Sequence, residues 1–87
     1  MPDRKYRKQE VPELYRQRLS FIGGLLKEYR WESGLSRYEV EKEFGIHHRT
    51  IQEIERGNNI SLVTLFRYLD CFDLEVPDIA FTDEEIL

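Results

Sequence analysis

Cysteine and long apolar runs are scarce in this chain of 87 residues. Cys71 is the one cysteine, which excludes an internal disulfide and a cysteine-rich zinc site. Because it lies among apolar residues, we interpret Cys71 as a buried, inert thiol, which fits a reducing cytoplasm. No apolar run approaches the ~20 residues that span a membrane, and the polar N-terminus does not resemble a secretory signal. We therefore expect a cytoplasmic protein without a membrane partner.

Positive charge is nearly missing from the last third of the chain. Residues 57–87 contain one basic residue, Arg67, against 7 acidic ones, whereas residues 1–56 contain 12 Lys and Arg against 10 Asp and Glu. The net charge of −4 is therefore unevenly distributed, which predicts two faces with different partners. Residues 4–8 contain a basic cluster that includes Arg4 and Lys5.

The apolar pattern divides the chain into three parts. Residues 1–11 show no apolar period and are interpreted as a flexible basic arm, and residues 77–87 as an acidic, apolar tail. Between them, residues 12–76 form one domain. Its first helix begins between Pro12 and Ser20 and ends at Gly34. The apolar stripe of this helix consists of Leu19, Ile22, Leu26 and Tyr29.

Two adjacent glycines, Gly23 and Gly24, interrupt the first helix. Each weakens a helix by roughly 1 kcal/mol relative to alanine. We therefore expect another backbone to pack closely at this point.

Two short helices follow, separated by a tight turn. Ser36 and Glu39 have the spacing of a capping box and open the second helix, whose inward residues are predicted to be Val40 and Phe44. Gly45 ends it, and the third helix runs from about residue 48 to 56, closing on Gly57. The pair, residues 36–56, forms a helix-turn-helix.

A fourth helix is predicted from its cap and its apolar spacing. Ser61 is the N-cap, and the apolar stripe consists of Leu62, Leu65, Leu69 and Phe72. The apolar residues from Leu74 to Phe81 predict a short fifth turn or helix. Since no segment alternates as a strand does, we expect an all-α, five-helix domain.

The third helix has one polar face suited to reading DNA. At about 100° per residue, His48, Arg49, Gln52 and Glu53 fall within an arc of about 140°, opposite two isoleucines. Arginine can bind guanine in a bidentate manner, glutamine can bind adenine, and a carboxylate can accept from cytosine. These side chains lie in the part of the helix that enters the major groove in helix-turn-helix docking.

One other interpretation of this face remains open, and two are disfavoured. Arg49 and Glu53, like His48 and Gln52, stand four residues apart and could simply pair with each other in solvent. A metal site is disfavoured, because neighbouring helical side chains diverge by about 100° and no cysteine or carboxylate completes a set with the histidines. No nucleophile–base pair or phosphate-cradling loop indicates an enzyme.

The segment LSRYEVEKEFGIHHRTIQEIERG resembles the helix-turn-helix of the phage repressor/Cro-like (Xre-type) family. The preceding IGGLLKEYRWESGLS resembles the first helix of that family, and SLVTLFRYLDCFDL resembles its fourth. The likeness covers about residues 20–76, with Gly34, Gly45 and Gly57 in register. It implies a lambda-repressor-like DNA-binding fold.

The resemblance also implies roles for individual residues. Positions 48, 49 and 53 match base-contacting positions, and Arg37 matches a backbone-contacting one. Arg30 and Glu55 match a structural salt bridge between the first and third helices. Trp31 replaces a usually polar residue, and it either packs against the arm or forms a protein interface.

The sequence departs from the family pattern at three positions. Glu41 replaces a small alanine at the crossing of the two helices, His47 replaces a Ser or Thr cap, and Ile60 replaces a common proline. A buried carboxylate is costly without a partner. Glu41 must therefore reach solvent, pair with a base, or widen the crossing.

These observations predict a sequence-specific, double-stranded-DNA-binding transcriptional regulator of the repressor type, acting as a homodimer on an operator without a cofactor. His48, Arg49, Gln52 and Glu53 would read bases. The backbone would be bound by Arg37, Thr50, His47, Arg4, Lys5 and the N-terminal amides of the second and third helices.

Dimer contacts are predicted in the C-terminal segment, at Phe72, Leu74, Ile79 and Phe81. The alternative there is that these residues fold onto the chain's own core or meet a second protein partner at the acidic end. The alternative function is a protein-interaction module or an antitoxin-type regulator with weak or partner-dependent DNA binding.

Overall fold

The computed structural model describes residues 11–79. The elements in this range are α1 (Glu13–Glu32), α2 (Arg37–Phe44), α3 (His48–Glu55), α4 (Leu62–Cys71) and a single 3₁₀ turn (Val76–Ile79). The all-α prediction is confirmed for the described residues, but the expected fifth helix is only this 3₁₀ turn.

The helix ends follow from local side-chain chemistry. Ser36 Oγ accepts from the Glu39 backbone N–H at 3.1 Å, and the Glu39 carboxylate accepts from the Ser36 N–H at 2.7 Å, so the predicted capping box is confirmed. Gly45 ends α2 in the left-handed conformation with φ 80°, where a residue with a Cβ would be strained. Ser61 caps α4 by accepting from the Thr64 N–H.

The core lies where α3 meets α1, α2 and α4. Its buried apolar side chains are Leu26, Val40, Ile46, Ile51, Ile54, Tyr68, Leu69 and Ile79. Phe44 and Leu62 were predicted to face inward but are 42% and 67% exposed. Both stand at a helix end, where the chain turns away from the packed centre, so the predicted stripes were wrong at these positions.

Gly23 lets α1 and α3 approach each other closely. A Cβ at Gly23 would lie 2.8 Å from the backbone carbonyl oxygen of Glu55, whereas a Cβ at Gly24 would meet nothing within 4 Å. The expected close approach of another backbone is therefore confirmed at Gly23 alone. α1 nevertheless continues through both glycines to Glu32, because packing against α3 compensates for their low helix propensity.

Candidate nucleic-acid interface

The helix α3 has a buried face and a solvent-facing one. Ile51 is fully buried and Ile54 nearly so, which fixes the rotation of the helix about its axis. On the opposite side Arg49 is exposed and Gln52 and Glu53 are half-buried. The structure therefore brings the predicted base-reading side chains to one accessible surface of α3, in the arrangement that the sequence period predicts.

A buried ion pair attaches α3 to α1. Arg30 and Glu55 are only 5% and 7% exposed, and the Arg30 guanidinium donates to the Glu55 carboxylate through Nε at 2.7 Å and Nη2 at 3.1 Å. The remaining guanidinium group, Nη1, donates to the Leu35 carbonyl at 2.9 Å. This bidentate geometry fixes both the distance and the orientation between the two helices.

Two further donors to Glu55 were not anticipated from the sequence. The Tyr68 hydroxyl donates to Glu55 Oε2 at 2.6 Å, and Arg37 Nε donates to Oε1 at 3.1 Å. Tyr68 is fully buried and lies three residues after Leu65 on the α4 stripe, so the helical period could have identified it as inward-facing. The network thus joins α1, α2, α3 and α4 at the C-terminal end of α3.

The network keeps Glu55 ionised. Burial by itself would raise the pKa of Glu55, but hydrogen bonds from Arg30 and Tyr68 and the charges of Arg30 and Arg37 outweigh burial and hold that pKa below its usual value. Burial and the adjacent carboxylate raise the pKa of the Tyr68 hydroxyl. At neutral pH, Glu55 is therefore an acceptor and Tyr68 a donor, which matches the observed geometry.

Histidine serves as the N-cap of α3, at the position where Ser or Thr was expected. His47 Nδ1 accepts from the Arg49 backbone N–H at 3.1 Å, as a cap oxygen would. The neighbouring backbone N–H of His48 donates to Glu41 Oε1 at 3.1 Å. Since side chains already accept from both of these first-turn amides, phosphate could bind them only by displacing those side chains.

Glu41 resolves its unusual position by pairing with a base. Its Oε1 lies 2.7 Å from His48 Nδ1, and its side chain is 36% exposed. Hydrogen bonds from the His48 side chain and backbone lower the pKa of Glu41. The contact connects α2 to the first residue of α3. The other ring nitrogen of His48, Nε2, can still contact a nucleobase without breaking this hydrogen bond.

Arg37 and Glu53 each have a partner that affects their expected roles. Arg37 uses Nε for Glu55 and has a side chain that is 31% exposed, so its terminal guanidinium groups remain the ones suited to a phosphate. Glu53 accepts from Asn58 Nδ2 and lies 4.0 Å from Arg56. The anticipated pairing of Glu53 with Arg49 is therefore replaced by contacts at the C-terminal end of α3.

The C-terminal residues proposed as dimer contacts are largely used by the core. Ile79 is only 3% exposed, and Phe72 and Leu74 pack against the core cluster. Ile79 therefore cannot serve as an exposed dimer contact, because its side chain already fills the chain's own interior. Phe81, like Arg4 and Lys5, lies outside the described residues.

Trp31 and Cys71 differ in exposure. Trp31 is largely exposed, and Lys27 Nζ lies 4.8 Å from the centroid of its ring, a cation–π arrangement that partly shields the indole. Cys71 is half-buried, and burial raises the pKa of its thiol to about 11. The thiol is therefore protonated at neutral pH, but it is less buried than the sequence predicted.

Comparison with known proteins agrees with this geometry. Residues 26–79 match the helix-turn-helix family, and among curated proteins no sequence matches the chain. None of the helices in residues 11–79 has the length and apolarity needed to cross a membrane. The matched range covers all of α2, α3, α4 and the 3₁₀ turn. The chain therefore belongs to the helix-turn-helix family of the Cro/C1 (Xre) type, a DNA-binding and non-enzymatic domain.

Proposed function

We propose that this protein is a transcriptional repressor that binds a specific double-stranded operator as a homodimer. The observation that carries the proposal is the polar outer face of α3, which is held rigidly by the buried Arg30–Glu55 pair. A reading helix must keep its position to discriminate between bases, because a good bidentate base contact contributes only ~1–3 kcal/mol of specificity.

Arg49 is the leading candidate for direct base contact. Its side chain is exposed and stands in the first turn of α3, the part of a recognition helix that reaches the base edges. His48, Gln52 and Glu53 flank it on the same face and extend the readable sequence. Arg37, Thr50 and His47 would contact the DNA backbone.

Selection of bound duplexes from a random pool tests sequence-specific binding. We expect one enriched motif, and Arg49→Ala should weaken binding to that motif by roughly 1–3 kcal/mol and relax the preference at one position. Arg16→Ala is the matched control, because Arg16 is exposed on α1; it should leave base preference unchanged. If no motif is enriched at moderate salt, the alternative of a protein-interaction module or antitoxin-type partner is favoured.

The homodimer follows from the small footprint of one helix-turn-helix. Two copies reading half-sites about 34 Å apart gain affinity and specificity that one copy lacks. Exposed apolar side chains available for a two-fold contact lie on one side of α4, at Leu62, Val63 and Phe66. Sedimentation of the full chain with and without the selected duplex checks this proposal. A chain that remains monomeric in both conditions rules out the dimer.

A further inference from the structure

Three side chains of metal-binding type meet where α2 packs on the beginning of α3. Glu41, His47 and His48 each offer one ligand atom, and these atoms lie within 4.8 Å of one another. From the sequence, we assumed that no carboxylate accompanies the histidines. That assumption was wrong, because the turn between the helices brings Glu41 back beside His48.

The adjacent histidines do not diverge as two residues within a helix would. His47 is the N-cap and has non-helical backbone angles, φ −58° and ψ 138°. Its ring stacks on that of His48 with centroids 4.4 Å apart and an interplanar angle of 25°. The Tyr38 ring also contacts His48, with centroids 4.4 Å apart. These contacts hold both imidazoles near Glu41 before any ion arrives.

Each of the three side chains can provide a metal-ligating atom while the fold is kept. His47 Nδ1 is occupied by the cap of α3, so Nε2 is the nitrogen that His47 can provide while the cap is kept. His48 Nδ1 and Glu41 Oε1 already face each other at 2.7 Å. An ion between these two atoms would need the neutral His48 tautomer that carries its proton on Nε2, so that the Nδ1 lone pair and the carboxylate both face the ion.

We propose that Glu41, His47 and His48 bind one divalent transition-metal ion of the zinc class, with water completing the coordination. Tetrahedral Zn²⁺ with bonds of about 2.0–2.1 Å needs neighbouring ligand atoms about 3.3 Å apart. The Glu41–His48 pair must open slightly, and the more distant nitrogen must move inward. Two imidazoles and one carboxylate suit Zn²⁺, Ni²⁺ or Cu²⁺ better than Mg²⁺ or Ca²⁺, which prefer oxygen ligands.

The affinity should be moderate, because two effects oppose each other. The Glu41 carboxylate supplies a negative charge, whereas the positive end of the α3 dipole disfavours a cation at this position. The partial exposure of Glu41 and His48 also means that water competes for the ion. These two effects make the affinity weaker than that of a buried structural zinc site.

This site goes beyond the proposed function, since it would make reading of DNA sensitive to metal. His48 belongs to the outer face of α3, and His47 caps the same helix. An ion held by both would add positive charge and restrict the His48 ring at the end of α3 that is proposed to enter the groove. Metal-bound and metal-free protein would then differ in base preference or affinity.

The direct test is titration of the untagged full chain with Zn²⁺ near neutral pH in a non-coordinating buffer. We expect one ion per chain, with no competition from excess Mg²⁺. Glu41→Gln and His47→Asn should each weaken binding about 10-fold or more, and asparagine keeps a capping acceptor at position 47. Glu43→Gln on the same helix and Cys71→Ser are the controls and should bind as the wild type does.

Imidazole NMR signals give a second readout that does not depend on affinity. The chain contains only two histidines, so both sets of ring signals should shift together on addition of Zn²⁺. The proposal is overturned if no saturable binding occurs, if the Glu41 and His47 variants bind as tightly as the wild type, or if Cys71→Ser abolishes binding. No DNA is present in these measurements, so their failure is distinct from failure of the operator proposal.

Discussion

Removal of the Glu55 carboxylate should strongly destabilise the protein. In the structure this carboxylate accepts four hydrogen bonds from described residues, at distances from 2.6 to 3.1 Å. Glu55→Ala leaves the buried Arg30 guanidinium and the Tyr68 hydroxyl without their acceptor. Breaking one partner of a buried ion pair costs about 3–5 kcal/mol, which is a large part of the ~5–15 kcal/mol that stabilises a typical domain.

A double-mutant cycle distinguishes this network from two unrelated buried residues. Arg30→Ala should cost a similar amount, because it leaves the Glu55 charge inside with Tyr68 and Arg37 as its remaining donors among residues 11–79. The double variant should lose less than the sum of the single losses, with a coupling of about 1–3 kcal/mol. Urea unfolding followed by circular dichroism gives the three free energies of unfolding.

Arg37→Ala is the matched control for the cycle. Arg37 donates to the same carboxylate, but its side chain is 31% exposed, so solvent replaces much of what is lost and the cost should stay within about 1 kcal/mol. Small, additive losses in the Arg30 and Glu55 variants would refute the reasoning. They would mean that water reaches both groups and that the network does not fix α3.

Two further predictions concern the same packed region. Gly23→Ala should destabilise the fold by about 1–3 kcal/mol through overpacking against the α3 backbone. Gly24→Ala, whose new methyl group meets open space, should instead stabilise the fold by about 0.5–1 kcal/mol. Thermal melts of the two variants check this prediction, and equal effects would contradict it. The lowered pKa of Glu55 contributes stability that is complete above the unfolded value of about 4.3 and is lost as the pH falls through the folded value. Glu55→Gln should therefore show a weaker dependence of unfolding free energy on pH in the acid range, and an unchanged dependence would contradict the assignment.

Local chemistry made the helices and their ends predictable from the sequence. The capping box at Ser36, the N-cap at Ser61 and the glycine stop at Gly45 depend on groups within a few residues of one another. The two faces of α3 follow from the helical period in the same way. For this reason the all-α class, the helix-turn-helix and the outer position of Arg49 could be predicted without coordinates.

Contacts between distant segments could not be derived from spacing. The Arg30–Glu55 pair was expected only through family resemblance, and the donation from Tyr68 to the same carboxylate was not expected at all. The helical period also wrongly predicted that Phe44 and Leu62 are buried. The burial of a side chain at a helix end depends on which neighbouring element covers it. The 3₁₀ turn and the burial of Ile79 were likewise decided by how the chain folds back onto its core.

The N-terminal end of α3 shows most clearly what the sequence determined and what the tertiary structure determined. The sequence alone established that two adjacent histidines stand where the third helix begins and that a carboxylate occupies position 41. Only the tertiary structure decided that the turn places this carboxylate 2.7 Å from His48 and that His47 caps the helix. The physical reason is that the tight turn changes the direction of the chain and brings residues seven positions apart into contact. The helical period of α2 or α3 does not predict such a contact, because it relates only residues within one helix.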